Sequence, residues 1–107
     1  MTQSIITGPD PYDVAEELEK SGIAVQHISG LVTATELEAA GVETAAYLIV
    51  TDPTEATGIP LAREQNDSIS VIVYALDSVP DFARHLADLI LDPSLIPVDD
   101  LVEKIRE

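Results

Sequence analysis

Cysteine and tryptophan are absent from this 107-residue chain, and aromatic residues make up only 4% of it. Without cysteine there can be no disulfide, no thiolate metal site and no cysteine nucleophile. No apolar run approaches the ~20 residues that a membrane-spanning helix needs, and residues 1–4 lack the basic start of a signal peptide. The composition therefore predicts a soluble, cytoplasmic protein that does not associate with membranes.

Basic residues are also scarce, because five Lys and Arg stand against 20 Asp and Glu, for a net charge of -15. The acidic residues are spread along the chain, which favours a folded domain with an acidic surface over a disordered tail. Such a surface is typical of proteins from a high-salt cytoplasm, so we expect a halophilic source. We expect no nucleic-acid partner, since phosphates are bound by Lys and Arg.

The most informative stretch is residues 45–63, which opens with an uninterrupted apolar run over residues 45–50. A strand that is apolar on both sides is typical of a parallel sheet covered by helices on both faces. The Asp-Pro-Thr-Glu sequence that starts at Asp52 is a helix-start signal. Because Gly58 and Pro60 interrupt the next segment, we expect either a kinked helix or a short turn followed by a helix from about Gly58.

The same alternation of strand and helix signals occurs five times along the chain. Strands are expected at residues 4–7, 23–28, 45–50, 70–75 and 87–91, and helices are expected to start at Pro11 (capped by Asp10), after Thr33, after Asp52, at Ser78 and at Pro97. Residues 1–107 therefore predict one three-layer αβα domain around a doubly wound, five-stranded parallel sheet. Tyr47, Tyr74 and Phe82 are expected in its core.

Ligands in this architecture bind where the carboxyl ends of the strands meet. The candidate residues there are Gly8, Asp10, Gly30, Asp52, Asp77 and Asp92. Carboxylate oxygens suit hard cations, so Asp10, Asp52 and Asp92 would be the ligands of a Mg²⁺ ion. The alternative is structural, because each of these three aspartates precedes a proline and would cap the start of a helix.

Residues 30–42 read Gly-Leu-Val-Thr-Ala-Thr-Glu-Leu-Glu-Ala-Ala-Gly-Val. They resemble the Gly-Asp-Ala-Thr turn, helix and Ala-Gly-Val exit of the nucleotide-binding domain of potassium-uptake regulators, the TrkA N-terminal (RCK) type. The similarity extends over residues 4–96 and implies a regulatory domain that senses a nucleotide or a divalent cation. The chain is also similar to small acidic haloarchaeal proteins of unknown function, some of which carry a CTP synthase label.

The phosphate loop of the TrkA-type family, Gly-x-Gly-x-x-Gly, is altered in this chain. When the loop is aligned on Gly8, its second and third glycines fall on Asp10 and Asp13, whose carboxylates repel a diphosphate. The family's acidic ribose ligand is missing, as is about one helix and strand after Ile28. We therefore expect no cofactor, and neither NAD nor another nucleotide. The five remaining strands favour a Rossmann-like or flavodoxin-like sheet of order 2-1-3-4-5.

Response-regulator receivers share this layout. Asp10 and Asp52 would match their acidic residue after the first strand and their phosphorylated aspartate after the third. Ala75 or Leu76 stands where receivers have a hydroxyl residue, and Asp92 stands where they have a lysine. Phosphorylation of Asp52 is therefore not expected.

No residue is predicted to be catalytic, because His27 and His85 are isolated and there is no serine in an elbow motif. We expect a non-catalytic domain that acts by association, either as a homo-oligomer such as a dimer or with a protein partner. A nucleotide-sensing or cation-sensing domain is the first alternative. An enzyme, such as a CTP synthase, is the second.

Overall fold

The computed structural model of the chain describes residues 2–29, 31–76 and 79–106. In these residues five strands alternate with five helices, and all the strands are parallel. The elements are β1 (Gln3–Thr7), α1 (Val14–Lys20), β2 (Ala24–Ile28), α2 (Ala34–Ala39), β3 (Tyr47–Val50), α3 (Gly58–Gln65), β4 (Ser70–Tyr74), α4 (Asp81–Leu86), β5 (Leu89–Leu91) and α5 (Val98–Arg106). The sheet order β2-β1-β3-β4-β5 confirms the predicted fold class and strand order.

Strand β1 lies between β2 and β3, and Ile6 is in register with His27 on one side and Ile49 on the other. The chain builds outward from β1 in both directions, so the strand order reverses between β1 and β3. This is the switch point at which such sheets bind ligands. The fold therefore places the loops after β1 and β3 side by side.

Helices cover both faces of the sheet, as the apolar run of β3 predicts. Leu48 and Val50 are buried under α2, α3 and α4, whereas Ile49 between them is buried under α1 and α5. Successive strand residues point to opposite faces, so an apolar run of this kind supplies both cores at once. Among the helices described here, none has the length and apolar character that crossing a bilayer would require.

The aromatic residues divide between the core and the surface. Tyr74 is 1% exposed, and its hydroxyl donates to the carbonyl oxygen of Ile96 at 2.7 Å. Tyr47 is half-buried. Phe82 was expected in the core, but it is 44% exposed, so that prediction is wrong. The reason is that α4 has only six residues and buries Ala83, which leaves the adjacent Phe82 on an outer side of the helix.

The region after β3 follows the second of the two predicted alternatives. A short 3-10 turn at Pro53–Glu55 is followed by α3, which starts at Gly58. Pro60 is tolerated because it lies in the first turn of α3, where backbone N–H groups have no acceptor within the helix.

Other predicted starts also differ from the structure. β3 starts at Tyr47 rather than at residue 45, and the predicted helix start at Ser78 lies outside the described residues. α1 starts at Val14, and β5 starts at Leu89 because residue 87 still bonds back to α4.

A clamp around Arg63 joins α3 to the starts of β4 and β5. The Arg63 guanidinium donates to the carbonyl oxygens of Ile69 at 3.3 Å and Leu86 at 2.7 Å, and to Asp88 Oδ2 at 3.0 Å. Asp88 Oδ2 also accepts from the backbone N–H of Val71 at 2.7 Å. One of the five Lys and Arg residues is thus committed to holding three elements together.

Candidate functional site

The loop after β1 packs directly against the loop after β3. Gly8 has a φ of 93°, a backbone conformation that favours glycine. A Cβ atom at Gly8 would lie 2.7 Å from Thr51 Oγ1 and 3.0 Å from the Cβ of Asp52. In the direction in which a side chain would point, Gly8 therefore faces Thr51 and Asp52 and not an open ligand site.

Hydrogen bonds join the loop after β1 to the loop after β3 and to strand β2. The Thr51 hydroxyl lies within hydrogen-bond distance of two carbonyl oxygens, that of Thr7 at 2.9 Å and that of Pro9. Because both carbonyls only accept, the hydroxyl donates its proton to the backbone at the end of β1 or in the loop after it. The Nε2 atom of His27 contacts the carbonyl oxygen of Gly8. Because a carbonyl only accepts, Nε2 is the donor there. Thr51 and His27 therefore hold the first loop from both sides.

Asp10 uses both of its carboxylate oxygens to cap α1. Oδ1 accepts from the backbone N–H of Val14 at 2.7 Å and Oδ2 from that of Ala15 at 2.9 Å. The predicted capping role is thus confirmed, but the helix does not begin at Pro11. A turn carries the chain from Asp10 to Asp13, and this turn places Pro11 before the helix. The carboxylate lies at the positive end of α1, where a negative charge is favourable.

Asp52 caps the 3-10 turn that follows β3, which confirms its predicted capping role. Its Oδ1 atom accepts from the backbone N–H of Thr54 at 3.0 Å and from the Thr54 hydroxyl at 2.7 Å. The residue is half-buried. Within the described residues, its Oδ2 atom accepts no hydrogen bond, so one oxygen remains available to a ligand.

Asp92 closes a turn after β5 rather than capping a helix. Its Oδ1 atom accepts from the Ser94 hydroxyl at 2.6 Å and from the Ser94 backbone N–H at 2.8 Å. These two bonds lower the pKa of Asp92 below its ordinary value. The prediction of a helix cap is wrong here, because α5 begins only at Val98.

The three carboxylates are not brought together as a metal site. Asp10, Asp52 and Asp92 follow β1, β3 and β5, and β4 separates the last two strands by about 10 Å. No three His, Asp or Glu side chains in residues 2–29, 31–76 and 79–106 are placed to hold a metal ion. The predicted set of three Mg²⁺ ligands is therefore not assembled. The predicted site residues Gly30 and Asp77 lie outside the described residues.

A groove lies between α4 and the carboxyl ends of β4 and β5, and we call it the α4–β5 groove. It encloses about 350 Å³. Its lining includes Leu76, Val79, Arg84, Ile90, Leu91 and Asp92. Leu76 is 61% exposed and Ile90 is 44% exposed.

Exposed apolar residues are concentrated in the segment of the chain that builds this groove, and two of them, Leu76 and Ile90, line it. Of the seven large apolar residues exposed in the described parts of the chain, five lie between positions 76 and 95. They are Leu76, Phe82, Leu89, Ile90 and Leu95. Sequence reasoning did not identify this surface. The available signal is the pairing of a very short helix with an edge strand that reads Leu-Ile-Leu.

The sequence pattern of one protein family matches residues 4–105. The chain belongs to this family of unknown function, DUF7126. A comparison of the DUF7126 chain with curated proteins finds no match.

Solved structures of low sequence identity share the fold of this DUF7126 chain. A candidate pilus assembly protein (cpaE) from Burkholderia thailandensis E264 is 13% identical with a TM-score of 0.65, over 99% of this chain and 96% of that one. A candidate pilus assembly-related protein from Burkholderia pseudomallei K96243 is 13% identical with a TM-score of 0.66. The match covers 99% of this chain and 87% of that one. A chain from the complex of histidine kinase ThkA with response regulator protein TrrA is 18% identical with a TM-score of 0.71. The match covers 99% of this chain and 97% of that one.

Proposed function

We propose that this DUF7126 protein is a non-catalytic domain that acts by association, with a second copy of itself or with another protein. The observation that carries the proposal is the concentration of exposed Leu, Ile and Phe side chains between positions 76 and 95. Two of these side chains, Leu76 and Ile90, share the α4–β5 groove, and exposed apolar residues that share a groove are typical of a surface that another molecule covers. In this proposal the acidic remainder of the surface keeps the domain dissolved at high salt.

The geometry of the strand ends supports a role without a cofactor. Thr51 and Asp52 lie against Gly8, where a phosphate would approach in a dinucleotide-binding domain. Asp10 commits both carboxylate oxygens to α1. A diphosphate at this position would have to displace these contacts and tolerate the charge of Asp10.

The similar structures give the proposal a second line of support. One of the matching chains comes from a complex between a histidine kinase and a response regulator, and two are described as connected with pilus assembly. Each of these settings involves association between proteins. The likeness is in fold alone, so it supports association as a mode of action without naming the partner.

Light scattering of the purified protein at high salt tests the proposal. We expect a mass clearly above the 11.4 kDa of one chain, either for the protein alone or for a stoichiometric complex with a purified partner. A strict monomer that forms no such complex, and whose stability responds instead to a nucleotide or a cation, would contradict the proposal.

The second candidate function is a sensor of Mg²⁺ or of a nucleotide, and the free Oδ2 atom of the half-buried Asp52 favours it. Its test is the melting temperature at high salt with MgCl2, ATP or NADH. A sensor would show a rise that Asp52→Asn removes and that Asp67→Asn preserves. Asp67 is the matched control because it is an exposed aspartate in the turn before β4.

A further inference from the structure

We infer that a second copy of this chain docks on the α4–β5 groove about a two-fold axis, with Arg84 of each copy facing Asp92 of the other. This inference rests on the proposed function and specifies both its partner and its surface. It is carried by three features of the groove: an uncovered apolar wall, balanced charge, and a position on one edge of the sheet.

The apolar wall is uncovered because α4 is too short to cover β5. Ile90 is in register with Val73, so both side chains point to the face that α2, α3 and α4 cover. Val73 is fully buried, whereas Ile90 is 44% exposed. With six residues, α4 reaches over β4 through Ala83 but leaves Ile90 and the neighbouring Leu76 open. A second molecule would complete the layer that α4 leaves unfinished.

Charge selects a second copy as the occupant. Two chains of net charge -15 repel each other over most of their surfaces. Among the described residues, the groove lining is an exception, since its charged side chains are one cation, Arg84, and one anion, Asp92. In a two-fold interface every contact between two residues occurs twice, once in each direction. Arg84 of each copy can therefore meet Asp92 of the other, and the surface is complementary to itself.

Both charged groups have unused capacity for such a contact. Arg84 Nε donates to the carbonyl oxygen of Val79 at 3.3 Å, and Arg84 forms no ion pair with any described residue. Asp92 uses Oδ1 for the turn with Ser94, and Oδ2 accepts no hydrogen bond in the described parts of the chain. A planar guanidinium suits a carboxylate that presents a free oxygen.

In the part of the chain that the structure describes, strand β2 at the opposite edge of the sheet differs from β5. Strand β2 exposes Gln26 and His27, whereas β5 exposes Leu89 and Ile90. A standard interface buries about 800 Å² per partner, which is about one-seventh of the 5736 Å² surface of this chain. Phe82 and Leu95, which are 44% and 75% exposed, belong to α4 and to the turn after β5, the two segments that flank the groove.

Sedimentation equilibrium of the full chain at about 2 M KCl tests the inference, because salt at that level screens the general repulsion. We expect a monomer–dimer equilibrium for the wild type. Ile90→Asp should raise the dissociation constant at least about tenfold. Leu31→Asp is the matched control, since Leu31 is 72% exposed but lies in the loop after β2, and it should leave the constant unchanged.

A charge reversal tests the predicted pairing. Arg84→Asp and Asp92→Arg should each weaken the dimer, and the double variant should restore it, with circular dichroism confirming that every variant is folded. A dimer that Ile90→Asp leaves intact, or a double variant no tighter than either single one, would overturn the inference and leave the proposed function standing. A wild-type monomer at every concentration would also overturn it, and association with another protein would then be the remaining form of the proposed function.

Discussion

At the scale of single residues, two glycines with the same backbone conformation have different surroundings. Gly8 has a φ of 93° and Gly22 a φ of 84°. A Cβ atom on Gly22 would meet nothing within 4 Å, whereas one on Gly8 would meet Thr51 and Asp52. Gly22 is therefore needed only for its backbone conformation, whereas Gly8 is also needed for the close approach of two loops.

This contrast gives a matched pair of substitutions. Gly22→Ala should lower the free energy of unfolding by about 1 kcal/mol, the cost of a left-handed conformation for an L-residue. Gly8→Ala should cost roughly 1–3 kcal/mol more, because its methyl group also displaces Thr51. Urea unfolding of both variants measures the difference. Equal losses would show that the two loops are not packed as described.

At the scale of the elements, Tyr74 connects β4 to the segment before α5. Its buried hydroxyl donates to the carbonyl oxygen of Ile96, and burial raises the pKa of Tyr74 above its ordinary value. A group whose pKa is raised by folding stabilises the protein below its unfolded pKa, and this stabilisation is lost as the pH rises through the folded pKa. For a tyrosine the loss begins near pH ~10.

Tyr74→Phe should therefore show a stability difference that depends on pH. At pH values below ~9 the variant should be less stable by about 1 kcal/mol, because the Ile96 carbonyl loses its donor. The difference should shrink as the pH rises above ~10, since only the wild type loses the contribution of Tyr74. Urea unfolding of both proteins across this range measures it, and contributions from the other tyrosines cancel. A constant difference would contradict the account.

Local signals were enough to predict most elements. The Thr33 capping box is an example, since Thr33 Oγ1 accepts from the backbone N–H of Glu36 at 3.1 Å as the four-residue pattern predicts. The exposure of Phe82 was missed because helical periodicity shows which residues can point inward but not whether a neighbour covers the rest. The Arg63 clamp was missed because its acceptors lie up to 25 positions away, at no characteristic spacing.

The candidate site was predictable in position but only partly in content. Parallel strands place Gly8 and Asp52 at one edge, and the switch point between β1 and β3 follows from the strand order. The capping by Asp10 and Asp52 was also predicted. The close approach of Gly8 to Thr51 could not be predicted from the sequence, because it depends on how two loops 43 positions apart meet in space.

At the scale of the whole molecule, the net charge of -15 determines how the fold responds to salt. Exposed carboxylates repel one another over distances that fall from ~30 Å at 0.01 M salt to ~3 Å at 1 M. The folded state holds these charges closer together than the unfolded state does. Screening should therefore stabilise the fold.

The melting temperature should rise by about 5 °C or more between these salt limits, since each kcal/mol is worth about 4–8 °C in a domain of this size. Neutralising three exposed acids together, Glu38→Gln, Glu64→Gln and Asp67→Asn, should reduce the rise. Calorimetry in KCl measures both proteins. A melting temperature that does not change with KCl would contradict both this expectation and the proposed halophilic source.

Thr51, Asp52 and His27 fill the space beside Gly8 where a diphosphate would approach, and the proposed function is therefore association rather than dinucleotide binding. Calorimetric titration of NADH into the protein at about 2 M KCl, with and without MgCl2, tests this most directly. We expect no saturable heat up to about 1 mM ligand. Saturable one-to-one binding that Asp52→Asn weakens and Asp67→Asn leaves unchanged would contradict it.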